Sequence, residues 1–448
     1  MTETRISARE PRFAFRSEGY AWSVVAILCF GAVVSMLERQ VINLLVEPLK
    51  SDLGISDTQI SILQGFAFAI FYAAMALPIG RIIDAKSRIG VIVCGAIVFS
   101  VATFTCGLVA SFALLMLARV FVGVGEATLM PAGMSMLGDY FPPDKLGRAV
   151  GLLIGSTYAG TGIALIVLGN VLGWLGARPD FVLPVIGVAR DWQLAFMIAA
   201  LPGFAFVALM ALVREPPRSS PTGLVGEPVP FTETLAFVRA NLRHVIPIFI
   251  GIPLLAAASF GMSAWIPTFF IRTYGWSASE IAPIFGLIII LCGTGGTVAG
   301  GVLSDWLAKR GVRQPGLLVP IVTGLLAAPF VIAFPLAGQA HLSIALLVPA
   351  IFIASMPFGA GTAGIVAFAP NRMRGQMVAM YMLLATLVGT GGGPWAMAAW
   401  TDSILGDPAA VRWSIATVAG GLLVIGSAVI ATGLRRGAAD PVVYPRSG

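Results

Sequence analysis

The sequence predicts an all-α membrane protein whose twelve transmembrane helices form two parallel repeats of six. Of its 448 residues, 58% are hydrophobic and only 11% are charged, whereas about a quarter of a soluble domain is charged. Apolar runs long enough to cross a bilayer recur along the chain. The loop sequences of the first half are echoed in the second half. These three observations together define the fold class.

The apolar segments place the twelve helices approximately and leave one irregular stretch, 174–192, between the fifth and the sixth. Membrane helices tolerate glycine and proline, so the 52 glycines and 29 prolines do not argue against these helices. The segments are expected near residues 21–46, 58–79, 89–110, 112–136, 147–173, 193–213, 245–270, 280–303, 316–337, 342–367, 376–401 and 412–434.

The distribution of basic residues predicts the orientation in the membrane. Of the 28 Lys and Arg residues, 21 fall in the tails and loops on the side of the N-terminus, and five fall on the opposite side. The remaining two, Arg39 and Arg119, lie within helices. Basic residues favour the cytosolic side, so both termini, in tails 1–20 and 435–448, are expected in the cytosol of a cell with the protein in its inner membrane.

A repeat divides the chain into six-helix bundles at 21–213 and 245–434, joined by a cytosolic linker at 214–244. The loop GRIIDAKSR (80–88) is echoed by GVLSDWLAKR (301–310), and FPPDKLGRA is echoed in the same order by APNRMRGQ. Each unit has an even number of helices, so both copies enter the membrane in the same direction.

The spacing G-x-x-x-D-x-x-x-R at 80–88 resembles the loop signature of the major facilitator superfamily. Further strings resemble its spinster-like branch: LLVEPLKSDLGISDTQ (44–59), RVFVGVGEA (119–127), GDYFPP (138–143), VREPPR (213–218) and PNRMRGQ (370–376). The resemblance implies two bundles around a central cavity, alternating access, lipid-like amphipathic cargo and a monomer. The sequence departs from the branch at Glu38, where relatives usually carry Asp, and at Ala85, where the signature usually has Arg.

Four charged residues lie away from the ends of two predicted helices: Glu38 and Arg39 in the first, and Arg119 and Glu126 in the fourth. Each costs roughly 2.5–3.5 kcal/mol at the centre of a membrane helix, so it must face a partner or a water-filled pathway. Arg119 and Glu126 are two helical turns apart on one face, at about the depth of Arg39.

We expect Arg39 to pair with Glu126 in one conformation and to release it in another, so that Glu126 carries the coupled proton. Glu38 is a second candidate proton site, and Arg39 with Arg119 could attract an anionic substrate. Two simpler readings remain open: a permanent ion pair that fixes helix register, and an Arg119 that only braces backbone carbonyls.

Three residues are candidates for a cytosolic gate: Asp84, Arg88 and Asp305. By the resemblance, Asp84 faces the start of the eleventh helix, whose N-terminal dipole is positive, and latches the cytosolic side. The alternative is a solvated loop aspartate.

The second half supplies weakly polar candidates for the cavity wall and no central charge, so we expect a cavity that is charged on one side and apolar on the other. The amides Asn43, Gln64 and Asn170 look few and scattered, which argues against a sugar. The candidates are Trp265, Thr268, Tyr381 and Thr386.

The remaining motifs exclude several function classes. The four cysteines fall in apolar segments, both histidines lie at membrane boundaries, and no Gly-Lys-Ser/Thr phosphate loop occurs. We therefore expect no metal, cofactor or ATP hydrolysis. We also expect no nucleic-acid partner, because the basic residues sort by side of the membrane and do not cluster on a soluble domain. The sequence favours a proton-coupled secondary transporter, not an enzyme, for an amphipathic or anionic substrate. The alternative within the transporters is an organic-anion or sugar-acid carrier of a neighbouring branch, and the alternative of another class is a membrane-embedded enzyme or channel.

Overall fold

The computed structural model describes residues 17–179, 181–183, 187–218, 230–368 and 372–436. Twelve helices in these ranges are long and apolar enough to cross a membrane, as the sequence predicts. We number them spans 1 to 12 in chain order: Glu18–Leu44, Asp57–Met75, Arg88–Cys106, Phe112–Tyr140, Pro143–Gly176, Asp191–Ala211, Leu242–Tyr274, Ala278–Lys309, Pro315–Leu336, Ala340–Gly359, Gln376–Leu405 and Pro408–Leu434. Four helices extend beyond these bounds. The helix of span 2 continues to Ala85, that of span 10 to Phe368 and that of span 12 to Arg436, and the helix of span 11 begins at Arg374.

Several spans are interrupted where the regular hydrogen-bond ladder changes. Span 4 consists of helices Phe112–Glu126 and Leu129–Tyr140, so Glu126 ends the first of them. π-Helical turns, which insert a residue and redirect side chains, occur at Ile62–Phe66, Pro247–Gly251, Ile289–Gly293, Ala385–Gly392, Thr401–Leu405 and Ile415–Ala419.

Short elements connect the spans. Helix Val46–Leu53 follows span 1 and ends at Gly54, whose φ of 63° suits glycine. In the stretch expected to be irregular, strands Phe181–Leu183 and Gly187–Ala189 form an antiparallel hairpin. The linker contains helix Phe231–Ala240, which the sequence analysis did not anticipate.

We call the end of the bundle where span 1 begins at Glu18 the terminal face, and the end where it stops at Leu44 the distal face. Near the terminal face, spans 1 to 6 pack around a separate core that includes Leu28, Phe99 and Met136. Near the distal face, residues of the first half such as Val41 share one continuous core with spans 7 to 12. The two halves are therefore joined mainly at the distal face.

Spans 5 and 8, one from each half, also lie closest together toward the distal face. A Cβ placed on Gly162 would lie 2.4 Å from the carbonyl oxygen of Gly286, so the two backbones touch in the distal half of the bundle and only glycine fits. Closer to the terminal face, Gly151 and Gly155 on span 5 have no neighbour within 4 Å of such a Cβ. The halves meet distally and diverge toward the terminal face.

Candidate functional site

A cavity of about 400 Å³ lies between the halves and is lined by spans 1, 2, 4 and 5 on one side and by spans 7, 8, 10 and 11 on the other. Its charged lining residues, Arg39 and Glu126, both come from the first half. The second half contributes hydroxyl groups and large apolar side chains, including Ser259, Ser263, Thr390, Phe260, Phe285 and Phe358. The two charges thus lie on one side of the cavity, whereas the other side carries hydroxyl groups beside its apolar side chains and is not purely apolar as expected.

Arg39 and Glu126 form an ion pair on this wall, with 3.5 Å between Nη2 and Oε2. The Arg39 side chain is 21% exposed and that of Glu126 is 2% exposed. The guanidinium also lies 3.6 Å from the centre of the Phe68 ring, a cation–π contact. Among the described residues, neither Arg39 Nε nor Glu126 Oε1 has a hydrogen-bond partner. The pair is loose and retains unused bonding capacity.

Glu38 points away from the cavity, because adjacent helical residues diverge by about 100°. It is completely buried, and its Oε1 accepts a hydrogen bond of 2.9 Å from Ser100 on span 3. Gly203 on span 6 closes the site, since a Cβ there would lie 2.6 Å from Glu38 Oε1. The structure thus separates Glu38 from the cavity, and its role as a second proton site stays a prediction.

Arg119 lies behind the cavity wall, which corrects the expectation that it could contact substrate. It is fully buried. Its Nε donates to the carbonyl of Leu63 at 3.3 Å and its Nη1 donates to that of Glu38 at 3.1 Å. Spans 1 and 2 close over this part of span 4, so Arg119 braces backbone carbonyls, and within the described residues it makes no ion pair with Glu126.

The four wall candidates of the second half do not line the cavity. Trp265 is 1% exposed and donates its indole N–H to the carbonyl of Pro394 at 3.0 Å, so it joins spans 7 and 11. Thr268 is fully buried, and Tyr381 and Thr386 also lie off the wall. The lining positions of span 7 are Ser259 and its neighbours instead. Ser259 and Ser263 lie one helical turn apart on one face of span 7, and this pair marks the inward face in the sequence.

At the terminal face, Arg88 is buried within the first half. It forms ion pairs with Asp139 and, at 3.1 Å, with Glu215, and it donates to the carbonyl of Pro216 at 2.8 Å. Arg218 donates to the carbonyls of Ile83, Asp84 and Lys86 at the end of span 2. The start of the linker is therefore clamped to the loop that follows span 2.

The carboxylates of the other two gate candidates make no comparable contact among the described residues. Asp84 and Asp305 are exposed, and in the described part of the chain neither carboxylate forms an ion pair. The sequence echo that precedes span 11 includes residues 369–371, which lie outside the described residues. The gate roles stay predictions.

A charged cluster at the distal face was missed by the sequence analysis. Arg272 of span 7 donates to Glu47 at 2.7 Å and to both carboxylate oxygens of Asp57 at 2.7 and 2.8 Å. Lys50 also pairs with Asp57, which is completely buried. This cluster crosses between the halves. Opposite charges at span ends on one side of the membrane were the available signal.

Two of the three amides that looked scattered meet at the cavity. Asn43 and Gln64 line it together with Gln40. The third, Asn170, does not reach it; its side chain donates to the carbonyl of Ile166 at 2.7 Å.

A cavity between two repeated six-helix bundles, with a partly buried ion pair on its wall, is the arrangement of a secondary transporter. Residues 28–394 match the family model of the Major Facilitator Superfamily. The chain belongs to that superfamily, whose members are transporters of small molecules and not enzymes.

Individual relatives agree with this assignment. The chain is 26% identical over 390 residues to an MFS-type efflux pump of Mycolicibacterium smegmatis, covering 86% of each protein. It is 23% identical to a probable L-galactonate transporter of Escherichia coli, over 74% of this chain and 72% of that protein.

Its structure superimposes with a TM-score of 0.77 on a crystal structure of a bacterial homologue of the human lysosomal transporter Spinster in an inward-facing, unoccupied conformation. The two sequences are 25% identical, and the match covers 93% of this chain and 96% of the other. The spinster-like resemblance is confirmed.

Proposed function

We propose that this protein is a proton-coupled secondary transporter that moves an amphipathic organic anion by alternating access. The observation that carries the proposal is the loose Arg39–Glu126 pair on the wall of a cavity between the halves, at 3.5 Å. Each side chain has one polar atom without a hydrogen-bond partner among the described residues. Glu126 can therefore exchange Arg39 for a proton, and Arg39 can exchange Glu126 for a substrate anion.

Glu126 and the substrate anion compete for the guanidinium of Arg39, and this competition couples proton movement to substrate movement. Protonation of Glu126 removes its negative charge, which weakens its attraction for Arg39 in a site shielded from bulk water. Arg39 then binds the anionic group of the substrate. When the substrate leaves, Arg39 again favours the ionised carboxylate, and the proton is released.

The positive-inside bias supports placing the terminal face in the cytosol. The cavity, which the distal contacts close, then faces inward, as in the Spinster homologue's structure. We place the protein in the inner membrane with both termini in the cytosol.

The wall opposite Arg39 supports an amphipathic substrate. Phe260, Phe285 and Phe358 line it, and aromatic rings accommodate hydrocarbon. In the lining of the cavity, the second half offers no charge to a second ionic group.

Uptake into proteoliposomes tests the proton step. Labelled lysophosphatidylglycerol and hexyl β-D-glucuronide are supplied under an imposed pH gradient. We expect gradient-driven uptake of at least one of them and a loss of roughly tenfold or more in Glu126→Gln, since proton-transfer groups contribute about 10²–10⁴-fold. Glu233→Gln, an exposed position on the linker helix, is the matched control and should transport normally. Undiminished pH-driven uptake by Glu126→Gln would contradict the proton role.

A carrier of small sugar acids is the second candidate, favoured by the similarity to the probable L-galactonate transporter and by the amides on the wall. A thermal-shift panel separates the two candidates. Stabilisation by lysophosphatidylglycerol or hexyl glucuronide supports an amphipathic substrate, whereas stabilisation by D-galactonate and D-glucuronate alone favours the sugar-acid carrier.

A further inference from the structure

Three amide side chains gather at the distal end of the cavity. Gln40 and Asn43 lie one turn apart on span 1, and Gln64 lies on the π-helical turn Ile62–Phe66 of span 2. They are 7%, 8% and 6% exposed, respectively. Buried amides are normally hydrogen-bonded, because their transfer out of water is unfavourable.

Most of the hydrogen-bonding capacity of this cluster is unused. Asn43 donates its Nδ2 to Gln40 Oε1 at 2.5 Å, and this is the one side-chain hydrogen bond that the described residues make to any of the three amides. Both polar atoms of Gln64 are buried without a partner there. Thr390 of span 11 faces the same space. The cluster therefore offers both donors and acceptors to a ligand.

The depth of the amides relative to Arg39 indicates how the apolar, anionic and uncharged polar groups of a ligand would be arranged along the cavity. Asn43 lies about 6 Å nearer the distal face than Arg39, at 1.5 Å per helical residue. Met130, Ile154 and Phe358 line the cavity from the terminal halves of their spans. A ligand that enters from the terminal face thus meets apolar walls first, then Arg39, and finally the amides at the closed end.

We propose that Gln40, Asn43 and Gln64 form a polar subsite that binds hydroxyl groups on the head of the anion held by Arg39. The proposal rests on the function proposed above and narrows its substrate class to a hydroxylated amphipathic anion. A hydroxyl both donates and accepts, as these amides do. A second charged group would require a counter-charge, and the lining near the amides contains none besides Arg39 and Glu126.

A pair of matched probes tests the subsite. Hexyl β-D-glucuronide carries a ring carboxylate, three ring hydroxyls and an alkyl tail. cis-3-(Hexyloxy)cyclohexane-1-carboxylate keeps the carboxylate, the ring size and the tail but lacks the hydroxyls. Calorimetric titration of the full chain in nanodiscs, without a pH gradient, should show at least about tenfold tighter binding of the glucuronide, since a site built for hydroxyls discriminates against analogues that lack them.

Gln64→Leu should weaken glucuronide binding roughly tenfold and change binding of the cyclohexane analogue less than about twofold. Because Leu replaces a buried amide that has no hydrogen-bond partner among the described residues, the melting temperature of the variant measured without added probe should not fall. Asn170→Leu, an amide on span 5 outside the cavity, is the control and should leave both affinities unchanged.

Gln40→Leu is a second variant that keeps the test valid if Gln64→Leu folds poorly. It should also weaken binding of the glucuronide more than binding of the cyclohexane analogue. Equal affinity of the wild-type protein for the two probes, no binding of the glucuronide, or equal losses for both probes in both variants would overturn the subsite. Proton-coupled uptake of lysophosphatidylglycerol that depends on Glu126 would still support the proposed function in that case, so the two failures are distinguishable.

Discussion

The charged networks at the two ends of the bundle connect different parts of the protein. At the distal face, Arg272 of the second half binds Glu47 and Asp57 of the first half, and Thr58 donates to Asp402 across the same boundary at 2.7 Å. At the terminal face, Arg88 binds Asp139 and Glu215, and all of these bonds lie within the first half and the start of the linker.

The two networks therefore have different mechanical roles. We call the distal network, whose bonds join the two halves, the latch, and the terminal network, whose bonds lie within the first half and the start of the linker, the brace. A rocking motion that opens the distal face must break the bonds of Arg272, because they join the two moving bodies. The same motion can leave the bonds of Arg88 intact, because their partners move together. We therefore infer that the distal network sets the balance between conformations, whereas the terminal network stabilises the first half in every conformation.

The largest expected effect is on stability, from Arg88→Leu. Arg88 is 2% exposed and is shared by two carboxylates. Its removal leaves the carboxylates of Asp139 and Glu215, which are 12% and 25% exposed, without the guanidinium, a change that destabilises proteins by about 2–3 kcal/mol. Thermal and denaturant unfolding in detergent should show this loss. Arg81→Leu removes an exposed arginine nearby and should change stability by less than about 0.5 kcal/mol. Equal stability of the two variants would contradict the brace.

Arg272→Leu should act mainly on the conformational equilibrium. It removes several charge-assisted bonds that exist only while the distal face is closed, so the population open at that face should rise roughly tenfold. The measurement is the rate at which an impermeant thiol reagent, applied at the distal face, labels Ser263→Cys in the cavity. The background variant has Cys29, Cys94, Cys106 and Cys292 replaced by serine or alanine.

Two controls sharpen this measurement. Arg272→Lys keeps the charge but loses the bidentate geometry, so its labelling rate should fall between those of the wild-type protein and Arg272→Leu. Arg88→Leu should not accelerate labelling. Acceleration by Arg88→Leu and none by Arg272→Leu would reverse the assignment of latch and brace.

Much of the fold follows from the sequence because span length and hydropathy are set by the thickness of the bilayer. The predicted segment 147–173 is observed as helix Pro143–Gly176, and the predicted segment 193–213 is observed, slightly shifted, as helix Asp191–Ala211. The π-helical turns were not predictable, because they depend on packing between spans and carry no local residue signature. The helix at Phe231–Ala240 escaped because the proline-rich start of the linker suggested irregular chain.

The site was predicted less completely than the fold. Arg39 and Glu126 stand out because charge in hydrocarbon needs a partner, and the structure does bring them together. Arg119 carries the same signal but reaches backbone carbonyls, since helical periodicity gives the direction of a side chain and not its distance from a neighbour. Gln64 gave no signal by itself; its position on the cavity wall emerges only when span 2 packs against span 11.

The smallest expected effect concerns the pH dependence of the terminal network. Partial burial tends to raise the pKa of Glu215, but hydrogen bonds from Ser87 and from the backbone and guanidinium of Arg88 outweigh it and hold the pKa below its ordinary value of 4.5. A carboxyl group with a depressed pKa stabilises the fold above its unfolded pKa, and this contribution is lost as the pH falls through the folded pKa.

Glu215→Gln should therefore be less stable than the wild-type protein at pH 7, and the difference in melting temperature should shrink as the pH falls below 4.5. The effect is small because the Glu215 side chain is 25% exposed and solvent screens it. Distal labelling of Ser263→Cys should not respond to Glu215→Gln, because the partners of this carboxylate among the described residues, Ser87 and Arg88, lie in the first half. A labelling rate that changed with Glu215→Gln would show that the terminal network also senses the separation of the halves, and the distinction between latch and brace would fail.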